Sequence, residues 1–125
     1  MLTIQDALDR FLVQLDADGR SPHTIGQYRR HVRLFSHWAA TDAPGCVLAD
    51  IDEQSVARFF TAPVAKQRAQ GGPRKATAAN ALRTSVRVFF GFAHEAGWIP
   101  RNPARLLRRA ICSPPPPKAF SDDDL

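Results

Sequence analysis

The stretch TAANALRTSVRVFFGFAHEA, residues 77–96, decides the fold. Ala78, Ala81, Leu82, Ser85, Val86, Phe89, Phe92 and Ala93 return at helical spacing on one side of a wheel. Asn80, Arg83, Thr84 and Arg87 fall at i, i+3, i+4 and i+7 on the other. A strand would alternate with period two, and this segment does not. It contains no proline, so it predicts one helix of roughly 30 Å, stopped by Gly97. A broad apolar face backed by a narrow polar stripe implies a helix packed on one side and open to a partner on the other.

Upstream, the same logic yields three more helices. Thr3 can cap a first one, with Asp6 in the place of the usual capping-box acid, and Ile4, Leu8, Phe11, Leu12 and Leu15 form its apolar stripe before Gly19. Ser21 as N-cap and Pro22 at the first helical position open a second, whose stripe is Ile25, Tyr28, Val32, Phe35 and Ala39. Asp50 or Asp52 can cap a short third helix that buries Val56, Phe59 and Phe60 and is stopped by Pro63. A basic, glycine-containing loop from Val64 to Pro73 leads into the long helix. Downstream, Asn102 and Pro103 predict a last short helix with Leu106 and Leu107. Four consecutive prolines, Pro114 to Pro117, then predict an extended linker. The expected fold is all-α: a compact orthogonal bundle of four main helices plus a short C-terminal one, over residues 1–112. Residues 113–125 read as a linker and, at Phe120-Ser121-Asp122-Asp123-Asp124, the capped start of another helix, as if a longer chain had been cut there.

With 125 residues, 44% of them hydrophobic, the chain has material for one core and not comfortably for two. Its Lys and Arg number 17 against 12 Asp and Glu, a net charge of +5, and the sequence pI is near 10.0, which favours a polyanionic partner. The distribution is more telling than the total. No carboxylate occurs from Gly19 to Thr41, which holds Arg20, Arg29, Arg30 and Arg33. None occurs from Gln54 to His94, which holds Arg58, Lys66, Arg68, Arg74, Lys75, Arg83 and Arg87. A solvated basic face is the plain alternative to a nucleic-acid footprint. Cys46 and Cys112 follow no metal or redox spacing and read as reduced thiols. No apolar run reaches the length of a membrane span, and the expected location is the cytoplasm, in a bacterial or phage-encoded, nucleoid-associated system.

Several motifs occur in a fixed order: Ser21-x-x-Thr24-x-x-x-Tyr28, Phe35-x-x-Trp38-Ala39, Lys75-Ala76-Thr77, Arg87-x-Phe89-Phe90-x-Phe92-Ala93, Gly97-Trp98-Ile99 and Asn102-Pro103. In this order the chain resembles, over nearly its whole length, the N-terminal SAM-like core-binding domain of tyrosine recombinases and phage integrases. The resemblance implies that the chain binds duplex DNA as one half of a clamp whose other half is a catalytic domain not contained here. It also implies that the second and fourth main helices lie across the major groove. The DNA-facing positions it implies are His23, Gln27 and His31 on the second helix and Thr77, Asn80, Arg83, Thr84 and Arg87 on the fourth, the latter coinciding with the polar stripe of the wheel. Ser21, Thr24, Arg74 and Lys75, with Thr77, sit at two helix N-termini suited to phosphate contacts, and Arg30 joins them as a DNA-binding candidate. Gln27 and Asn80 have the paired donor and acceptor that suit adenine, and Arg83 and Arg87 suit guanine or phosphate.

The family's arginines, lysine, histidine and nucleophilic tyrosine belong to the absent domain, so the fragment itself is expected to be no enzyme and to need no cofactor or metal. Tyr28 lies on the apolar stripe and reads as core. Phe89, Phe90 and Phe92 also read as core, with Phe90 nearest the wheel's boundary and so the one candidate for base stacking. His23 and His31 have no partner cluster for zinc and compete with a reading as ordinary surface histidines. Gly26 either permits a close approach of the helix to a neighbour or has no special role. Expected partners are the recombination core site, the chain's own catalytic domain and other recombinase protomers, the fragment alone being monomeric. The competing functions are a stand-alone helical DNA-binding regulator and a helical protein-interaction module.

Overall fold

The computed structural model describes residues 2–108. The predicted boundary after residue 112, Cys112, the proline run and the helix start at Ser121 lie outside the described residues. Among those described, the elements are helical: α1 (Ile4–Ala17), α2 (Pro22–Asp42), α3 (Glu53–Thr61), α4 (Pro63–Lys66) and α5 (Ala76–Glu95), with a 3-10 turn at Leu48–Asp50. Among the described residues the only strand-like feature is an isolated bridge between Gln67 and Pro73. No helix among them is long and apolar enough to cross a membrane.

The ends of the helices follow from local chemistry. The Asp6 N–H donates to Thr3 Oγ1 at 2.9 Å and the Thr3 N–H to the Asp6 carboxylate at 3.3 Å, closing the box that starts α1. The Thr24 N–H donates to Ser21 Oγ at 3.1 Å, with Pro22 at the first helical position of α2. Of the two candidate caps for α3, Asp52 serves: its carboxylate accepts from the Ser55 N–H at 2.8 Å, and Asp50 instead accepts from the Val47 N–H to close the 3-10 turn. α1 and α5 both stop on a left-handed glycine. With Gly19 at φ +79° and Gly97 at φ +80°, the next amide reaches back to Leu15 O and Ala93 O respectively, the geometry of a Schellman stop.

Two differences from the sequence expectations concern the turns. α3 ends at Thr61, and Pro63 opens a single helical turn, α4, because proline needs no amide partner at a helix start. The short C-terminal helix predicted from Asn102 is, through Arg108, a pair of turns. The Arg105 N–H bonds to Asn102 O, the Leu107 N–H to Ala104 O, and the Asn102 side chain accepts from the Ala104 N–H at 2.9 Å. The Asn102 side chain caps the Ala104 amide as at a helix start, but the backbone bonds that follow span three residues, the spacing of turns.

The core lies between α1, α2, α3 and α5. Phe11, Phe35, Phe59, Phe89 and Phe90 are fully buried, with Leu8, Val32, Leu48, Val56, Leu82 and Val86 around them. Tyr28 is buried with its ring edge-on to Phe11 at 5.4 Å, as its place on the apolar stripe implied. Phe90 is core as well, edge-on to Phe35 at 5.4 Å, and is not available to stack on a base. Gly26 makes no close approach: a Cβ there would meet only Arg30 Nη1, at an ordinary 3.7 Å. Gly26→Ala therefore removes the entropic penalty of a helical glycine and raises unfolding stability by about 0.5–1 kcal/mol. Urea unfolding with an unchanged slope checks this, and a loss of stability would show that the backbone at Gly26 is tighter than its surroundings indicate.

Candidate nucleic-acid interface

α2 and α5 pack against each other, and a polar bond crosses between them: His31 Nδ1 to Ser85 Oγ at 2.7 Å. This contact joins the two carboxylate-free segments of the sequence. Ser21, His23 and Arg30 are exposed, and Thr24, Gln27 and His31 are half-buried along the edge of α2. On α5, Thr77, Thr84 and Arg87 are exposed, as is Lys75, the N-cap residue, which supplies no capping side chain.

Two of the predicted stripe residues do not join that surface. Asn80 is buried, with 6% of its surface exposed, so it is not on the open polar stripe where the wheel put it. Arg83 is turned toward α3, its guanidinium 4.6 Å from the Phe60 ring centre and donating to Arg108 O at 3.2 Å. It lines a cavity of about 580 Å³ together with Val56, Phe60, Pro103, Leu106 and Leu107. The wheel assumes one packed face. α5 instead meets α1 and α2 on one flank and α3, α4 and the exit segment on another, so the polar stripe is divided.

The sequence also treated every cation of the acid-free stretches alike. Arg58 forms an ion pair with Asp42 at 2.8 Å, which folding brings in from outside the stretch. Asp16 lines a cleft with Arg20 and Arg29 between α1 and α2. Arg74 donates from Nη2 to Val64 O at 3.1 Å. Among the described residues no ion pair involves Arg30, Lys66, Lys75 or Arg87. The basic loop is a tight hairpin-like turn: the Arg74 N–H bonds to Lys66 O and the Arg68 N–H to Gly72 O, with Gly71 and Gly72 in left-handed conformations. Ser85, assigned to the core face by periodicity, emerges as the partner of His31. Only the register of α5 against α2 shows this, and periodicity carries no register.

His31 is the perturbed group of the surface. Burial first, then the neighbouring Arg30 and Arg74 guanidiniums, holds its imidazole at about 4, well below the ordinary 6.5. The unfolded chain binds that proton at higher pH than the folded one, so the fold keeps its full stability above about 6.5 and loses some as pH falls through the window to about 4. Solvent access to the ring reduces the loss. The thermal midpoint of the wild type is expected to fall more steeply across that window than that of His31→Gln, and parallel curves would exclude the effect. Arg83→Ala is expected to lower stability by about 1 kcal/mol through loss of the Phe60 stack, where Arg87→Ala is neutral. Equal effects in chemical unfolding would count against the division of the stripe.

Residues 8–97 match the family described as phage integrase, N-terminal SAM-like domain. Over 118 residues the chain is 29% identical to a protein named tyrosine recombinase XerD from Ralstonia nicotianae, a match that covers 94% of this chain and 35% of that protein. The chain thus spans about a third of the length of that curated relative. No solved structure matches it significantly. The order of motifs along α2 and α5, the all-helical bundle they build and the match over residues 8–97 agree, and the chain belongs to the phage integrase N-terminal SAM-like domain family.

Proposed function

We propose that this chain binds duplex DNA as the core-binding half of the clamp of a site-specific tyrosine recombinase, with strand transfer carried by a catalytic domain beyond it. The observation that carries the reading is the junction of α2 and α5 through His31 and Ser85, which sets the carboxylate-free runs of two helices side by side. A duplex carries regularly spaced phosphates, and such a surface gains by releasing the counterions condensed on them. Phosphate contacts fall to Ser21, Thr24, Arg74, Lys75 and Thr77, close to the starts of α2 and α5, and to Arg30, three residues beyond Gln27. Gln27, Thr84 and Arg87 lie further along the two helices, and with His23 in the first turn of α2 they are the side chains assigned to base edges or sugar. Asn80 and Arg83 are left out, one buried and the other stacked on Phe60. The partners in this reading are the recombination core site, the catalytic domain and neighbouring protomers, in DNA integration and recombination.

As one half of a clamp, the chain is expected to bind duplex with a Kd of roughly 1–100 μM, with log affinity falling against log salt by about 0.9 for each phosphate contacted. Lys75→Ala and Arg87→Ala each flatten that slope, by about one where the lost contact is a phosphate, and Arg58→Ala, whose charge is already paired with Asp42, leaves it unchanged. Fluorescence anisotropy on a labelled duplex, with helicity followed by circular dichroism, measures this. Affinity independent of salt would remove the duplex reading and favour a protein partner instead.

A further inference from the structure

We propose that the groove between α3, α5 and the exit segment is the seat of the chain's own next residues, Ala110-Ile111-Cys112, with the Ile111 side chain laid against Phe60 and Leu106. The folded unit then ends at Cys112, and the tether toward any further domain begins at Ser113. Docking fixes the point of the bundle from which the proline run starts, so that whatever follows it hangs from a defined place beside α3.

The groove has an apolar floor and an open edge. Val56 and Phe60 line it as buried residues, whereas Leu106 stands at its rim with 58% of its surface exposed. Its volume of about 580 Å³ falls within the range that takes up a drug-sized molecule, so a short apolar segment fits. Covering such a surface is favourable in proportion to the apolar area removed from water. Two bonds tie the exit segment to the helices that flank the groove: Arg105 Nε donates to the Glu53 carboxylate of α3 at 2.8 Å, and Arg83 Nη1 of α5 donates to Arg108 O at 3.2 Å. The chain is thereby delivered to the wall of the groove at Arg108, itself a lining residue. Arg109 follows, then Ala110, Ile111 and Cys112, then Ser113 and four prolines. Ile111 comes three residues after Arg108, a reach of about 10 Å, and no other large apolar side chain occurs before Phe120. Phe120 is the poorer occupant, because four prolines favour an extended backbone that carries it away from the groove. A segment from a second copy of the chain is poorer too, since it loses translational freedom on binding that a segment tethered at Arg108 does not have.

Cys112 adjoins Ile111, so its thiol reports the docking. In the full chain carrying Cys46→Ser, Cys112 is expected to react with a water-soluble disulfide reagent about tenfold or more slowly than in the same chain with Ile111→Ser. Leu106→Ser, at an exposed position, takes away the rim of the groove and speeds the thiol in the same way, and Ile111→Leu keeps it slow. Circular dichroism checks that each variant retains its helices. In protein labelled at the isoleucine methyls, nuclear Overhauser contacts are expected from Ile111 to the Phe60 ring within one chain. Absence of those contacts, or equal thiol rates with and without the two serine substitutions, overturns the proposal. Contacts found only between differently labelled chains in a mixture assign the groove to a second copy, and contacts from Phe120 in place of Ile111 assign it to the distal segment. Either result also overturns it.

Discussion

One run of aromatic contacts ties the bundle together, and its centre is Phe35. This ring lies 5.0 Å from Phe59 of α3 and 5.4 Å from Phe90 of α5, Phe90 lies against Phe89, and Phe89 meets Phe11 of α1 at 5.5 Å, which in turn meets Tyr28 of α2. Most of these pairs are edge-to-face, the arrangement that the ring quadrupole favours. A domain of this size has a total stability of about 5–15 kcal/mol, and deleting a single buried phenylalanine costs about 3–5 kcal/mol. Every main helix contributes a ring to the chain of contacts. The angular position of each helix about its own axis is thereby fixed, and with it the face that each turns to solvent.

The candidate interface is the reverse side of that constraint. α2 spends Tyr28, Val32, Phe35 and Ala39 on the core, which leaves the edge with Gln27, Arg30 and His31 beside α5. α5 spends Leu82, Val86, Phe89, Phe90 and Ala93, which leaves Thr77, Thr84 and Arg87 outward. The charge of this surface comes less from the number of its cations than from where the acids go. Asp42 and Glu53 are drawn into ion pairs with Arg58 and Arg105 on the α3 side of the molecule, and Asp16 lies near Arg20 and Arg29 between α1 and α2.

Most of the fold could be read from residue order, because its signals are local. Thr3 with Asp6, Ser21 with Pro22, and Gly19 and Gly97 mark helix ends by interactions within a few residues, and periodicity found Tyr28, Val32, Phe35, Leu82, Val86 and Phe89 as a common core. What escaped is non-local. Asn80 and Arg83 look like members of one exposed stripe until a second flank of α5 is covered, and Phe90 looks like a boundary residue for the same reason. Arg58 and Arg87 are equivalent in a charge count, and only the fold supplies Asp42 to one of them. The turn at Asn102 escaped through chemistry of another kind, since an asparagine that opens a helix and one that caps a turn look alike in sequence.

His31 is where stability and recognition meet. Elsewhere the two are more separable: Arg87 is exposed and can change without touching the core. At the α2/α5 seam a single imidazole spends one nitrogen on the partner helix, in the field of the Arg30 and Arg74 guanidiniums. Fixing the ring through Ser85 spares the side-chain entropy that a free histidine would lose on meeting a ligand, which is how a small domain gains affinity without enlarging its contact area. The same bond sets a limit, because neither helix can shift along the other without giving up a half-buried hydrogen bond. The spacing between the two exposed rows is therefore a property of the folded domain before any ligand arrives, and a rigid, regularly spaced polyanion is the kind of partner that such a preset spacing suits.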